Sequence, residues 1–273
     1  MEQQVTKINR GWMIKMLIYC AAMTGLGIWG LVDGAWIYPK RGRESASYRE
    51  KEYLEQAQNA GRLLTASVAD PAAERRRLSE AERSLRADAE KKSGQTSLDA
   101  AADLSRLEWL TALSRINRLD KEHTQFADPV KRLGELQQEW QAKKAPVPLS
   151  AYDIPAQWVI CAGGLGAGAY ILFLISKVST KRFRYDPASM RLTLPGGVSF
   201  EPKDIRELDK RKWDKFFVTV VLKDGRQEKL DLLRHSPLEE WILEMEKKTD
   251  SYVPPPPAET PQAAPAEPAG SQV

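Results

Sequence analysis

The sequence has little of the side-chain chemistry that most enzymes use, because its 273 residues include two cysteines and two histidines. Cys20 and Cys161 both lie in uncharged stretches, which leaves no disulfide framework and no cysteine metal site. His123 stands without a second ligand at metal spacing. With so few nucleophiles and bases, we expect no catalytic residue, no metal site and no cofactor site, and therefore a protein that is not an enzyme.

Common catalytic motifs are also missing: the chain has no Gly-x-x-x-x-Gly-Lys, Gly-x-Ser-x-Gly or His-Glu-x-x-His. The run Arg75-Arg76-Arg77 is a candidate for binding nucleic acid or another anion. Acidic and basic side chains alternate at helical spacing in this region, as in Glu82 and Arg86, which indicates an ion-paired helix surface. We therefore expect no nucleic-acid partner.

Charge is absent from two long stretches, residues 16–32 and 156–176, although 29% of the residues in the chain are charged. At a rise of about 1.5 Å per residue, about 20 apolar residues match a hydrocarbon core of roughly 30 Å. With their flanking residues, these stretches predict transmembrane helices at residues 12–38 and 154–176. Two spans enclose no pathway, and the uncharged stretches carry no acidic or basic side chain, which argues against a transport function.

The first span is interpreted as a retained anchor rather than a cleaved signal. Its best cleavage site, Asp33-Gly34-Ala35, puts a carboxylate where a signal peptidase requires small residues. Lys15 can place its ammonium at the headgroups and so lengthen the usable helix. Trp29 and Trp36 form an interfacial aromatic set at the other end.

The distribution of basic residues predicts the orientation of the two spans. Lys177, Lys181, Arg182 and Arg184 follow the second span, which favours a cytoplasmic C-terminal side. Two crossings then place residues 1–11 in the cytoplasm and residues 39–153 outside it. The basic cluster Lys40, Arg41 and Arg43 opposes this, but long loops translocate largely regardless of charge. We expect a multi-pass protein of a bacterial inner membrane with both termini cytoplasmic.

Small residues in the two spans predict close helix packing. The candidate packing residues are Gly25, Gly30, Gly34, Gly164 and Gly168. Glycine lets helix backbones approach where lipid gives no hydrophobic driving force. Pairing of the two spans within one chain and homo-oligomerisation through them both fit this pattern. Antiparallel packing would place Cys20 and Cys161 in opposite leaflets, too far apart for a disulfide.

The segment between the spans predicts an all-α domain outside the cytoplasm. Apolar side chains at helical spacing, such as Tyr53, Ala57, Ala60 and Leu64, mark a helix over residues 44–68. Asp70-Pro71 and Asp128-Pro129 are start signals for further helices, and residues 97–119 form another. Helices with one apolar side must bury it together. A helical bundle or an elongated coiled hairpin follows.

Residues 177–250 instead show short period-two patterns, which predict a small antiparallel β domain. The Asp224-Gly225 pair is a strong hairpin signal. An amphipathic helix follows, with Leu238, Trp241, Ile242 and Met245 on its buried face. Residues 251–273 are rich in proline and polar residues, so we expect a disordered tail.

Several of these motifs, over residues 181–248, resemble the bacterial pleckstrin-homology-like (PH-like) domains found beside membrane spans. The resemblance is carried by Arg191-Leu192-Thr193-Leu194, Gly197-Val198-Ser199-Phe200, Ile205-x-x-Leu208-Asp209, Asp224-Gly225 and the terminal helix. It implies a partial barrel capped by one helix, which acts as a binding or scaffolding module. This copy is short by one strand.

The turn before the best predicted strand, Phe216–Leu222, is the candidate binding surface of that domain. Its members are Lys210, Arg211, Lys212, Trp213 and Lys215. Basic side chains close to the inner leaflet favour anionic lipid, and a protein partner is the other candidate. The alternative interpretation is an ordinary exposed turn with Trp213 packed against the sheet.

The sequence thus predicts a membrane-anchored interaction or scaffold protein, with membrane lipid and one or more unidentified proteins as partners. The alternative is a two-span signal-transducing regulator, in which binding to the outer domain changes the inner one.

Overall fold

The structure, a computed structural model, describes residues 3–91, 94–250 and 252. The chain divides into two compact units, and the first consists of Met1–Ile18 with Ile171–Val273. The second unit is Tyr19–Tyr170. We call them the sheet unit and the helical unit. Apart from residue 252, the predicted disordered tail lies outside the described residues.

Among the described residues, two helices are long and apolar enough to cross a membrane, as predicted. Helix α1 is Arg10–Val32 and continues through a π-helical turn, Asp33–Ile37, into helix α2, Tyr38–Asn59. The second apolar helix, which we number α6, is Asp153–Ser179. Both α1 and α6 expose large apolar side chains along their length.

The helical unit adds three helices to α2: α3, Pro71–Ala89; α4, Gln95–Arg115; and α5, Pro129–Trp140. The helix starts predicted at Asp70 and Asp128 are confirmed, since each carboxylate accepts hydrogen bonds of 3.0 Å from backbone N–H groups in the first turn. One apolar core joins all four helices, with Tyr53 and Trp109 stacked 5.2 Å apart at its centre. The four helices therefore form a bundle.

The predicted helix over residues 44–68 differs from the structure at both ends. Helix α2 begins earlier, in continuity with the π-helical turn, and ends at Asn59. Gly61 follows with φ +71°, a left-handed conformation that terminates helices. Leu64, predicted on the buried stripe, lies in a 3-10 turn with 81% of its surface exposed. Gly61 therefore ends the helix, although the apolar spacing predicts that it continues.

The described residues of the sheet unit form nine short strands. They are β1, Gln4–Val5; β2, Lys7–Ile8; β3, Arg184–Asp186; β4, Arg191–Thr193; β5, Ser199–Phe200; β6, Ile205–Asp209; β7, Phe217–Leu222; β8, Gln227–Asp231; and β9, His235–Ser236. All pairings among the described residues are antiparallel, in the orders β1-β3-β4-β5, β6-β7-β8 and β2-β9. This confirms small antiparallel sheets in the C-terminal part of the chain.

Helix α7, Leu238–Glu246, packs its apolar face into the core of this unit. Leu238, Trp241, Ile242 and Met245 are all buried there, as the sequence predicts for that helix face. The turn between β7 and β8 contains Gly225 with φ +90°, in agreement with the predicted hairpin. Burial of these apolar side chains is what holds the short strands together.

The start of the chain also contributes to the sheet unit. The sequence predicts a cytoplasmic N-terminal segment over residues 1–11 and gives it no strands. In the structure β1 pairs with β3, and β2 pairs with β9. Strands of two residues give no periodic pattern, and their partners lie far along the chain, so sequence periodicity cannot reveal them.

Candidate functional site

The sheet unit holds the start of α1 and the region after α6 together. Asn9 caps α1, because its Oδ1 accepts hydrogen bonds from the N–H groups of Gly11 and Trp12 at 2.9 and 3.3 Å. The N–H of Asn9 donates to the carbonyl of Arg234 at 2.9 Å. Three residues earlier, Thr6 exchanges hydrogen bonds with Phe183. The entry to α1 and the exit from α6 are therefore parts of one domain.

Acidic side chains of the same domain neutralise part of the positive charge of the predicted basic turn. Lys210 forms an ion pair with Glu246 of α7 and lies over the ring of Trp213 at 5.2 Å. Arg211 pairs with Asp209 at 2.7 Å, and its hydrogen bonds lower the pKa of that carboxyl to about 2. Trp213 is half-buried against the sheet core.

Two other lysines of that turn have no acidic partner among the described residues. Lys212 and Lys215 are exposed and form no ion pair within the part of the chain that the structure describes. Phe216 follows them with φ +59°, and 44% of its surface is exposed. A left-handed phenylalanine is uncommon, and this one leaves an apolar ring exposed directly after Lys215 in the chain. Sequence alone does not identify Phe216 as part of this surface. Aromatic residues favour strands, so Phe216 is predicted to begin the following strand.

The apolar part of this surface extends toward α1. The carbonyl of Phe216 accepts a hydrogen bond of 2.8 Å from the N–H of Leu232, and the next residue, Leu233, is exposed. Arg234 then lies over the ring of Trp12, in the first turn of α1, at 5.8 Å. We call Lys212, Lys215, Phe216 and Leu233 the turn surface. It combines cations with apolar side chains, a composition that suits a lipid headgroup layer.

Four of the five predicted packing glycines lie in the contact between α1 and α6. A Cβ on Gly164 would stand 2.5 Å from the backbone nitrogen of Gly27, and one on Gly30 would stand 2.8 Å from that of Cys161. Gly34 faces the Cβ of Gln157, and Gly168 faces Thr24. Gly25 faces nothing within 4 Å in this chain, and Gly27 lies in the contact between the two helices.

These contacts run in opposite directions along the two helices, so α1 and α6 form an antiparallel pair within one chain. Cys20 Sγ lies 3.6 Å from the carbonyl oxygen of Gly168, whereas Cys161 adjoins Gly30. The two places lie ten residues apart along α1 and seven apart along α6, which at 1.5 Å per residue is about 15 Å and about 10 Å. Both cysteines are free and buried.

A cavity of about 530 Å³ in the helical unit lies between α2, the end of α4 and α5. Its apolar wall includes Leu113, Ile116 and Phe126. Arg132 on its rim binds Glu50 through two hydrogen bonds of 2.6 and 2.9 Å. A groove of mixed charge with an apolar wall suits a peptide or protein surface. The charged rim is balanced, with the cations Arg43, Arg118, Lys131 and Arg132 and the anions Glu50, Glu122, Asp128 and Glu135.

A buried polar network joins α2, α3 and α4. Arg106 donates from Nε to Tyr53 Oη at 3.0 Å and from Nη1 to Glu74 Oε1 at 2.8 Å. Tyr53 in turn donates to the carbonyl of Ala66 at 2.7 Å, and burial raises the pKa of its hydroxyl. The hydrogen bonds from Arg77 and Arg106 lower the pKa of Glu74 to about 2. These hydrogen bonds hold the three helices together.

Asp120, Glu122 and His123 bring three potential metal-ligand atoms within 4.8 Å of one another. No metal role is predicted for His123 from the sequence. Its backbone N–H and its Nδ1 both hydrogen-bond to Oδ1 of Asp120, at 3.1 and 2.8 Å. These bonds close an exposed turn, which accounts for the cluster, and we assign no metal to it.

Comparison of the chain with protein-family models, with curated proteins and with solved structures gives no match. What the protein does must therefore be inferred from its own residues and their geometry.

Proposed function

We propose that this protein is a two-span, membrane-anchored interaction protein that joins an extracytoplasmic helical domain to a cytoplasmic binding domain. The observation that carries the proposal is the surface of α1 and α6. Large apolar side chains remain exposed along both helices, including Trp29 at 65% and Val159 at 72%. Such a surface is unfavourable in water and suits lipid, while the glycine contacts let the two helices pack without a hydrophobic driving force.

The contacts of the N-terminal residues support an even number of crossings. Thr6 with Phe183, and Asn9 with Arg234, hold both cytoplasmic helix ends of the proposed hairpin in one domain. The basic residues after α6 favour the cytoplasm of a bacterial inner membrane for that domain. At the opposite end of α1, Trp29 donates a hydrogen bond of 2.9 Å to the Asp33 carboxylate, an arrangement typical of a membrane interface.

We further infer that the sheet unit is a PH-like module. Its antiparallel strands, its capping helix α7 and the strands added by residues 4–8 support this assignment. In this proposal the turn surface binds the anionic inner leaflet or a partner protein at that leaflet. Each cation near such a surface contributes about 1 kcal/mol, and the exposed Phe216 adds apolar contact.

The mixed-charge cavity of the helical unit is the proposed docking groove for the outer partner. Its apolar wall and balanced rim favour recognition by shape and by paired charges over binding of a small anion.

Substitution of the turn surface in the full chain tests the inner binding role. Lys212→Gln and Lys215→Gln remove its two cations, and Phe216→Asn removes the ring while tolerating a left-handed backbone. Lys247→Gln with Lys248→Gln is the matched control, since both lysines are exposed outside the turn. Pull-down from solubilised membranes should lose inner-side partners or anionic lipid only for the turn variant. Retention of all partners and lipid by the turn variant would contradict the proposal.

The continuous helix favours a second candidate function, the signal-transducing regulator. The helical segment Arg10–Asn59 runs without a break and contributes residues to both units. The π-helical turn Asp33–Ile37 lies within it, and π-helical turns frequently mark functional sites. Crosslinking of the sheet unit with and without an outer partner separates the two candidates. An unchanged crosslinking pattern would contradict the regulator function.

A further inference from the structure

Three arginines line a second cavity of the helical unit, where the bundle adjoins the ends of the two apolar helices. The cavity has a volume of about 400 Å³. Arg43 reaches it from α2, and Arg115 and Arg118 reach it from the end of α4. Its remaining wall includes Pro39, Ile116, Ile154 and Pro155.

The charge of this cavity has one sign. No carboxylate lines it among the residues that the structure describes. Arg43 and Arg118 also line the larger cavity nearby, which has four carboxylates on its rim. Arg43 and Arg118 are exposed and form no ion pair within residues 3–91 and 94–250. Asp153, at the start of α6, accepts hydrogen bonds of 2.8 and 2.6 Å from Ser150. The two guanidinium groups are thus available to an external anion.

The backbone at the end of α4 places these arginines on one side. Asn117 has φ +56°, a left-handed residue that ends the helix. The N–H of Arg118 returns to the carbonyl of Leu113 at 3.0 Å. Arg115 donates from Nη1 to the carbonyl of Leu149, which fixes its guanidinium at the cavity wall. The site is therefore built by main-chain geometry as well as by side chains.

Phosphate is the anion that this arrangement fits best. Guanidinium groups bind phosphate oxygens with paired N–H donors, and Arg is favoured over Lys wherever such recognition matters. A free ion would leave the apolar wall from Ile116, Ile154 and the two prolines without a partner. That wall suits the glycerol and first methylene groups of a lipid, whose chains would then follow the exposed apolar side chains of α1 and α6.

We propose that Arg43, Arg115 and Arg118 form a headgroup site for an anionic phospholipid of the outer leaflet. The site rests on the proposed function, since it requires α1 and α6 to span the membrane. It also gives a role to Arg43, one of the basic residues that follow the first span on the side where the orientation rule favours few of them. Inorganic phosphate carries the same chemical group as the lipid headgroup. Competition between inorganic phosphate and the lipid therefore distinguishes the two ligands.

Native mass spectrometry of the full chain, released from detergent with known lipid added, measures the site. The probes are phosphatidylglycerol, which is anionic, and phosphatidylcholine, which is zwitterionic. Arg43→Gln with Arg118→Gln should weaken phosphatidylglycerol binding about 30-fold, from about 1 kcal/mol for each cation near an anionic group. Arg43→Gln alone should weaken it about fivefold, and this exposed residue keeps the test valid if the double variant misfolds.

Arg76→Gln with Arg83→Gln is the matched control, because these exposed α3 arginines remove the same charge outside the cavity. The control should bind phosphatidylglycerol like the parent chain. Equal binding of both lipids by the parent chain, or equal losses in the control and cavity variants, would overturn the headgroup site. Displacement of phosphatidylglycerol by millimolar inorganic phosphate alone would assign the cavity to a free ion instead.

Carbonate extraction of membranes that contain the parent chain distinguishes failure of the headgroup site from failure of the two-span proposal. A chain that resists extraction but shows no lipid preference overturns the headgroup site and leaves the two-span proposal standing. A chain that is extracted overturns both.

Discussion

Thr6 and Phe183 exchange two hydrogen bonds although 177 positions separate them in the chain. The N–H of Thr6 donates to the carbonyl of Phe183 at 2.9 Å, and the N–H of Phe183 donates to Oγ1 of Thr6 at 3.0 Å. Thr6 is buried and so is Phe183. This pair ties the segment that precedes α1 to the segment that follows α6.

Thr6→Val removes the acceptor of that second bond and keeps the side-chain shape. The buried N–H of Phe183 is then left without its partner, which should destabilise the sheet unit by about 1–3 kcal/mol. Hydrogen exchange at the Phe183 amide, followed by mass spectrometry of the full chain, should become faster together with exchange in β3.

Thr180→Val is the control for this change, because Thr180 is exposed and its hydroxyl bonds only to a carbonyl in the same helix end. Its exchange profile should match that of the parent chain. Equal protection of β3 in the two variants would show that residues 4–8 do not support the sheet.

Gly164→Leu should separate the two apolar helices, whereas Gly163→Leu should leave them paired. A side chain at 164 would begin 2.5 Å from the nitrogen of Gly27, and a backbone atom cannot move aside as a side chain can. Gly163 faces nothing within 4 Å. Overpacking typically costs about 1–3 kcal/mol, so thermal denaturation in detergent should occur earlier for Gly164→Leu. Equal melting temperatures would argue against the glycine contact between α1 and α6.

Cysteines at 24 and 168 should form an intramolecular disulfide. A Cβ at Gly168 would lie 3.5 Å from the Cβ of Thr24, within the range of about 3.5–4.5 Å that a disulfide needs. The substitutions Thr24→Cys and Gly168→Cys are made with Cys20→Ala and Cys161→Ala. After oxidation, non-reducing electrophoresis should show a crosslinked monomer.

The matched control replaces Thr24→Cys by Gly25→Cys, since Gly25 lies away from α6. It should stay uncrosslinked. A disulfide-linked dimer from the 24/168 pair would instead favour homo-oligomerisation through the spans, the alternative that the glycine pattern leaves open.

Stability of the helical unit should fall in acid through Glu74. Hydrogen bonds from Arg77, and then from Arg106, lower the pKa of Glu74 from 4.5 to about 2. Between these values the unfolded chain binds more protons than the folded one, so stability falls as pH falls. The contribution is complete above about pH 4.5 and is lost toward about pH 2.

Glu74→Gln should flatten this acid dependence of the melting temperature and lower stability at neutral pH. Glu80→Gln, which changes an exposed glutamate on the same helix, should leave the acid dependence as it is. If both variants keep the parent pH profile, Glu74 is not the group responsible.

Short sequence motifs predicted the elements that are determined by neighbouring residues. Asp70 and Asp128 cap helices where their carboxylates are followed by proline, and Asp224-Gly225 turns the β7–β8 hairpin. The two apolar helices follow from an absence of charge that any window of the sequence reveals. In each case neighbouring residues determine the outcome.

Long-range relationships could not be predicted in this way. Residues 4–8 acquire strand structure only from partners in the C-terminal part of the chain. Gly27 and Gly25 look alike in sequence, and only the rotation of α1 against α6 distinguishes them. Arg43 and Arg118 meet at one cavity because the bundle folds, since 75 positions separate them in the chain.

Phe216 shows a different limit. As an aromatic residue it favours a strand, but in the structure it adopts a left-handed turn conformation. Aromatic residues are enriched in strands, so local propensity gives no sign of that turn.

In the proposed topology, the four-helix bundle and the sheet unit lie on opposite sides of a membrane. Single cysteines at two exposed positions, Ser79→Cys in α3 and Lys223→Cys in the β7–β8 turn, report on it in a chain without Cys20 and Cys161. A membrane-impermeant maleimide applied to intact cells should label Ser79→Cys at once. It should label Lys223→Cys only after permeabilisation. Equal labelling of both positions in intact cells, or labelling of Lys223→Cys alone, would contradict the two-span account.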